Sequence, residues 1–301
     1  MYRTPGWARD YLSPREAIST NVGACFMDSR VITITSGKGG VGKTTTTANL
    51  GTALAMQGKK VAVVDSDIGL RNLDAVLGLE NRIVYDLVDV VEGQCRLRQA
   101  LIKDKRQSEL YLLPAAQTRD KNAITSVQME QLCQQLRQEF DFVIIDSPAG
   151  IEQGFRNAIV GADEIIIVAN PEMASVRDAD RIIGLVEAAD KAEPRLILNR
   201  LRPEMVKRGD MMDVADVLEV LGIDLLGIVP EDENIIIAIN KGEPIVYDKR
   251  SRAGRAYLSS AQRILGEEIP LDEVSDSPSL FERLRRFVGF GPPLAERQVR
   301  S

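Results

Sequence analysis

The sequence predicts an α/β protein: a doubly wound, mostly parallel sheet flanked by helices, with a short amphipathic helix at the C-terminus. Short apolar runs alternate with stretches of helical period, a glycine-rich loop joins the first such run to the first helix, and acidic residues close several of the runs. Parallel sheets gather ligands at such carboxyl ends. With 301 residues, 44% of them apolar and 27% charged, the chain suffices for one large domain plus small additions. A net charge of −6 argues against whole-surface attraction to nucleic acid and leaves a local basic patch open. No apolar run is long enough for a transmembrane helix, which needs about 18 residues. Cys25, Cys95 and Cys133 are scattered, with no C-x-x-C and no histidine anywhere, so zinc sites and disulfide scaffolds are poorly supported and free thiols in a reducing cytosol are expected.

The first element is a β-branched strand run at residues 31–35, and residues 45–57 read as a helix. Between them lies Gly37-Lys38-Gly39-Gly40-Val41-Gly42-Lys43-Thr44, a phosphate-binding loop in the context that such a loop requires. Backbone N–H groups and the positive helix end face a phosphate chain, Lys43 meets the β- and γ-phosphates, and the Thr44 hydroxyl ligates Mg²⁺. The alternative is a glycine turn with no ligand. Further strands are expected at 61–65, 110–113, 141–146, 164–169, 195–199 and 224–229, apolar nearly throughout as when both sheet faces are covered. Helices are expected at 126–139, 175–189, 213–221 and 252–265.

Lys38 is a second cation inside the loop, unnecessary for holding a nucleotide in cis but able to reach a phosphate held by a second copy, as an in-trans cation does in phosphoryl transfer. A solvated loop lysine is the alternative. The sequence K-G-G-V-G-K-T resembles the deviant Walker A (ParA/MinD) family of ATPases, in which this first lysine bridges a dimer. Asp146 closes Phe142-Val143-Ile144-Ile145-Asp146, an apolar strand ending in the carboxylate that helps hold Mg²⁺ directly or through water, though such an Asp also caps helices and turns. Asp65 and Asp67 end the second strand. The resemblance implies that Asp67 lies in a switch segment near the γ-phosphate and orients the attacking water, with Asp65 coupling nucleotide to switch; as Asx-turn residues they would carry no chemistry. Thr44, Asp67 and Asp146 thus form the metal set, and Lys38, Lys43 and Asp67 the catalytic set. No Glu follows Asp146 directly, so slow basal hydrolysis is expected. Asn199, Pro230 and Glu231 match positions that line the adenine in the family; Asn offers a base edge both donor and acceptor, and is also a common turn former. They join Gly37 through Thr44, and Thr45, as the ATP-binding set.

After residue 265 comes an acidic, proline-bounded linker, 266–278, and then Ser279 to Phe290. Ser279 and Glu282 form a capping box, and Gly289 is a helix stop. Leu280, Phe281, Leu284, Phe287 and Val288 fall in an arc of about 120°, with Arg283, Arg285 and Arg286 outside it. That layout suits a helix lying in a membrane interface, the alternative being a helix packed on the protein's own body. Five apolar side chains contribute roughly 5 kcal/mol before ordering costs, so one copy holds a bilayer weakly, and pairing two copies raises avidity by about a hundredfold or more.

The amphipathic tail, with Val-Asp-Ser-Asp-Ile-Gly-Leu-Arg-Asn-Leu-Asp and Ile-Ile-Asp-Ser-Pro-Ala-Gly-Ile-Glu, extends the resemblance to the septum-placing branch of that family over residues 28–290. It implies an ATPase that dimerises on the inner face of the cytoplasmic membrane, or of a plastid inner envelope, recruits and activates the division inhibitor MinC, and is released when MinE stimulates hydrolysis. It also implies a partner-binding helix through Arg177, Asp178, Asp180 and Arg181, which otherwise read as a solvated helix face. Residues 1–27 fit a misassigned start or a disordered extension, and 291–301 a disordered tail. A DNA-partition ATPase of the ParA type shares the loop and the dimer chemistry but needs no amphipathic tail. An iron–sulfur carrier needs clustered cysteines that are lacking. A nucleotide-gated adaptor that never hydrolyses is the third rival.

Overall fold

The computed structural model describes residues 29–120 and 123–271. The expected extension before residue 28, the membrane-targeting helix and the C-terminal tail all lie outside the described residues, as does the linker beyond Leu271. The chain runs β1 (Arg30–Thr35), α1 (Lys43–Met56), β2 (Val61–Asp65), three short helices α2 (Leu73–Leu77), α3 (Leu87–Val91) and α4 (Leu97–Ala100), then a hairpin of β3 (Ile102–Lys103) and β4 (Leu110–Leu113). It continues through α5 (Ser126–Arg137), β5 (Phe142–Asp146), α6 (Gln153–Ile159), β6 (Glu164–Ala169) and α7 (Met173–Ala188). The last part holds β7 (Arg195–Leu201), α8 (Pro203–Arg208), α9 (Val214–Leu221), β8 (Leu225–Pro230), α10 (Asn234–Asn240) and α11 (Arg252–Ile264).

The strands form one sheet in the order β3-β4-β2-β5-β1-β6-β7-β8, parallel throughout except for β3 against β4. The order reverses direction around β1, the switch point at which a doubly wound sheet opens a crevice. Central strands carry apolar residues on both faces because both are covered: Ile32, Ile34, Val63 and Ile144 pack under α1 and α11, while Val31, Val64, Val143 and Ile145 pack under α3 and α5. Beneath β6 and β7 a third core joins Ile165, Ile167, Leu196 and Leu198 to α7 and α9. In α1 every residue from Thr46 to Ala55 is buried, as expected of a helix enclosed between the sheet and α11. Capping boxes start α3 at Asp86, α5 at Thr125 and α9 at Asp213, fixing where the chain turns back toward the sheet.

Most boundaries shift by a residue or two from those expected, and two of the differences bear on the site. α1 begins at Lys43 rather than residue 45, because Gly42 is its cap, which places Lys43 and Thr44 within the first turn. β7 continues to Leu201 through a register irregularity between Asn199 and Leu201. Arg200, at the irregularity, sits at φ 59, a left-handed conformation uncommon for a side chain of this size.

Candidate nucleotide site

The loop after β1 is shaped by its own hydrogen bonds. Ser36 Oγ donates to the Lys38 carbonyl at 2.7 Å, and Gly42, at φ 103, turns the chain into α1 with no side-chain cap. First-turn N–H groups of α1 therefore have no capping side chain to bond, which is the arrangement that receives an anion. A Cβ at Gly42 would lie 2.3 Å from Asn199 Nδ2, so only glycine fits both the dihedral angle and the contact. Lys43 is buried; burial lowers its pKa, against the pull of the Asp146 and Asp67 carboxylates. Lys38, on the same loop, is exposed.

Asp65 and Asp146 are register partners on neighbouring strands, so their carboxylates stand side by side at the sheet's carboxyl edge. Both are buried, and burial raises both pKa values above the ordinary carboxylate range, with the neighbouring aspartates adding to the rise. They do different work. Asp65 accepts the N–H groups of Asp67, Asn72 and Leu73 at 3.0, 3.1 and 3.1 Å and so pins the segment after β2. Asp146 accepts from Thr47 Oγ1 at 3.3 Å and from the Thr44 hydroxyl, which faces it across the start of α1. Ser66 ties the two strand ends, its Oγ donating to the Asp146 carbonyl at 2.7 Å. Asp67 is half-buried and lines a cavity of about 340 Å³ with Ser66, Pro148, Ala149 and Phe155. Thr44, Asp67 and Asp146 are all hard oxygen donors, and a divalent cation would neutralise buried like charges, so these residues fit Mg²⁺.

At the other end, Asn199 Nδ2 donates to the Val41 carbonyl at 2.7 Å while its Oδ1 is buried without a partner. One N–H of the expected base-reading amide is thus committed to the loop, while its acceptor oxygen is buried without a partner. Pro230 closes β8 opposite Leu201, and Glu231 N–H donates to the Leu201 carbonyl at 3.0 Å. Glu231 in turn lies 3.9 Å from Arg200 and 3.7 Å from Arg202. On α7, Arg177, Asp180 and Arg181 are exposed, and Asp178 pairs with Arg181 at 3.6 Å. A Cβ on Gly37 would lie 2.4 Å from the Asp178 carbonyl oxygen, so the first loop glycine and the expected partner-binding helix are in direct backbone contact.

Sequence reasoning missed Asn170. It stands one residue beyond the last β6–β7 pair, Ala169 with Leu198, and hence beside Asn199, and its buried Oδ1 is also unpartnered. A lone Asn before a proline reads as a turn former, and only the register brings the two amides together.

Strand order, uncapped helix start and paired carboxylates place the chain among the P-loop nucleotide-binding proteins. The CobQ/CobB/MinD/ParA nucleotide binding domain family matches residues 32–245. Septum site-determining protein MinD of Bacillus subtilis is 58% identical over 261 residues, 86% of this chain and 97% of that protein, and MinD of Escherichia coli is 48% identical over 270 residues, 87% and 99%. The chain therefore belongs to this family, and within it to the septum site-determining MinD proteins. Among solved structures, MinD in a MinC:MinD cell division protein complex of Aquifex aeolicus is similar at a TM-score of 0.77 and 50% identity, covering 81% of this chain and 99% of that one. MinD complexed with Mg-ADP from Pyrococcus horikoshii is similar at a TM-score of 0.72 and 30% identity, covering 80% and 100%. Membership supports an ATPase activity and a role in cell division. Among the described residues no helix is long and apolar enough to cross a membrane.

Proposed function

We propose that this chain is a switch ATPase that pairs on ATP, attaches to the inner membrane surface as the pair, recruits the division inhibitor MinC to place the septum, and is released when MinE stimulates hydrolysis. The observation that carries this reading is the division of labour between two lysines on one loop. Lys43 is buried at the start of α1, and Lys38 is exposed a few residues before it. A buried ammonium beside first-turn N–H groups that no side chain caps suits phosphate in cis, and an exposed one on the same loop can reach phosphate in a second copy.

Around the phosphates, Thr44 and Asp146 would hold Mg²⁺, with Asp67 approaching it from the segment that Asp65 pins. Bound there, the ion supplies charge neutralisation for the transferring phosphoryl group. Asp67 would orient the attacking water, and Asp65 keeps that residue in place by holding three backbone N–H groups of its segment. Ser147 follows Asp146, so a second carboxylate is missing at the position of a strong general base, which supports slow turnover until a partner orders the site. Asn199 Oδ1, an acceptor only, suits the exocyclic amine of adenine and opposes the carbonyl of guanine.

The test measures phosphate release and molecular mass by light scattering for the wild type, Lys38→Ala and Lys43→Ala, with Mg²⁺-ATP, with and without anionic vesicles and MinE. The reading requires Lys38→Ala to bind ATP and stay monomeric, and Lys43→Ala to lose ATP. A Lys38→Ala protein that pairs and hydrolyses like the wild type removes the reading.

A further inference from the structure

We propose that residues 279–290, when not in lipid, dock into a methionine-floored, acid-rimmed groove on the chain's own ATPase domain. The groove, a cavity of about 840 Å³, lies between the start of α7, α8 and the turn into α9. Its floor is Met173, Met205, Val206, Met211 and Met212, with the Met173 side chain 51% exposed. Methionine is unbranched and polarisable, so such a floor adapts to leucine and phenylalanine side chains from another helix. Met173 is exposed and Met205, Val206, Met211 and Met212 are half-buried, so the lining leaves part of its apolar surface uncovered.

Charge and reach select the occupant. The rim carries the carboxylates of Glu172, Asp213 and Asp216, with Asp210 paired to Arg208 and with Glu231, also a member of the expected ATP-binding set, facing Arg200 and Arg202. With the helical spacing expected from the sequence, residues 279–290 would present the complement, Leu280, Phe281, Leu284, Phe287 and Val288 on one face and Arg283, Arg285 and Arg286 beside it. Arg263 fixes where the chain leaves the domain. Its Nε and Nη2 donate to the carbonyls of Ile269 and Pro270 at 2.9 and 2.6 Å, while its Nη1 donates to that of Leu226 at 2.9 Å. Leu271 is therefore delivered beside Leu226 on β8, the edge strand of the sheet. Glu231, on the rim, lies just past the end of the same strand, roughly 17 Å further along at the rise of a strand. Residues 272–278 extend to roughly 23–25 Å, enough to bring the start of the segment to the groove.

Groove and bilayer then compete for one apolar face, and a copy away from the membrane keeps that face out of water. The proposal rests on residues 279–290 being an amphipathic helix, not on their binding lipid. Its test uses the full chain with p-benzoylphenylalanine in place of Phe281 or of Phe287, irradiated without lipid, with crosslinks mapped by mass spectrometry. Intramolecular crosslinks concentrated on Met205, Met211 and Met212 are the expected result, and Arg285→Glu with Arg286→Glu should lower their yield about fivefold, as for two exposed ion pairs. Crosslinks elsewhere on the domain, crosslinks only between two copies, no groove crosslink from either position, or a yield indifferent to the double reversal each overturn the proposal. Adding anionic vesicles separates the two readings. Loss of the groove crosslink supports both docking and membrane attachment, whereas a crosslink that persists supports docking and counts against attachment alone.

Discussion

Asn199→Ala probes both ends of the nucleotide site at once. Its Nδ2 bond to the Val41 carbonyl, 2.7 Å long, is made where both residues are almost wholly buried, Asn199 at 4% and Val41 at 3% exposure. Removing the donor strands that carbonyl, at about 1–3 kcal/mol. The same substitution deletes an unpartnered Oδ1, whose burial is itself unfavourable, so the net loss in the nucleotide-free chain falls near the lower end, about 1 kcal/mol. For a domain of this size that is a fall in melting temperature of roughly 2–4 °C. Asn199→Asp should fall further at neutral pH, since it sets a carboxylate oxygen against the Val41 carbonyl. In the nucleotide complex the lost acceptor is worth about tenfold in ATP affinity and little in GTP affinity, so the preference for ATP shrinks by nearly that factor. Differential scanning fluorimetry and competition binding with fluorescent ATP and GTP analogues read the two effects. An Asn199→Ala protein that melts with the wild type and keeps its full ATP preference would refute both the bracing of the loop and the reading of the base by the Asn199 acceptor.

Three further outcomes follow from the same geometry. Asp146→Asn should stabilise the nucleotide-free chain by about 1–3 kcal/mol at pH 8 while abolishing Mg²⁺-dependent hydrolysis, because it removes a buried charge set beside Asp65. The folded Asp146 carboxyl is pushed up to about 8 from an ordinary 3.8, so between those values the native chain binds more protons than the unfolded one, and stability falls as pH rises. The advantage of Asp146→Asn should therefore shrink as pH is lowered from 8 toward 5, and an advantage that grows on acidification would contradict the assigned sign. Gly37→Ala places a methyl 2.4 Å from the Asp178 carbonyl oxygen, which forces α7 away from the loop at about 1–3 kcal/mol; hydrogen exchange should quicken in the first turns of α7, and unchanged protection there would show that loop and helix are not mechanically joined.

Much of this architecture was legible in residue order. The glycine loop between a β-branched strand and a helix, the apolar runs at 61–65, 110–113 and 164–169, and the helices from Ser126 and Arg252 stand where their patterns put them. The misses have physical causes. β3 is two residues long, too short for any period, and α2, α3 and α4 span only four or five residues each, held by tertiary contact rather than by propensity. No element is expected at α10, where Ile235 and Ile239 turn to the core while Ile236 and Ile237 face solvent, a helical spacing that a β-branched run conceals. At the site, residue types pointed to Lys43, Thr44 and Asp146 and the family resemblance to Asp67, but only the fold reveals that Asp65 spends its carboxylate on three backbone N–H groups, that Asn199 spends an N–H on the loop, and that Gly37 touches Asp178 across 141 residues of chain. Those are relations between strands, set by register, and no local pattern encodes them.

The most direct measurement of the central claim, that γ-phosphate pairs two copies and pairing secures the membrane, is sedimentation of the full chain with anionic vesicles under Mg²⁺-ATP and Mg²⁺-ADP, repeated after deletion of residues 279–301. The account predicts pelleting with ATP, little with ADP, and none for the truncated chain in either state; equal pelleting with both nucleotides, or pelleting that survives the deletion, would contradict it.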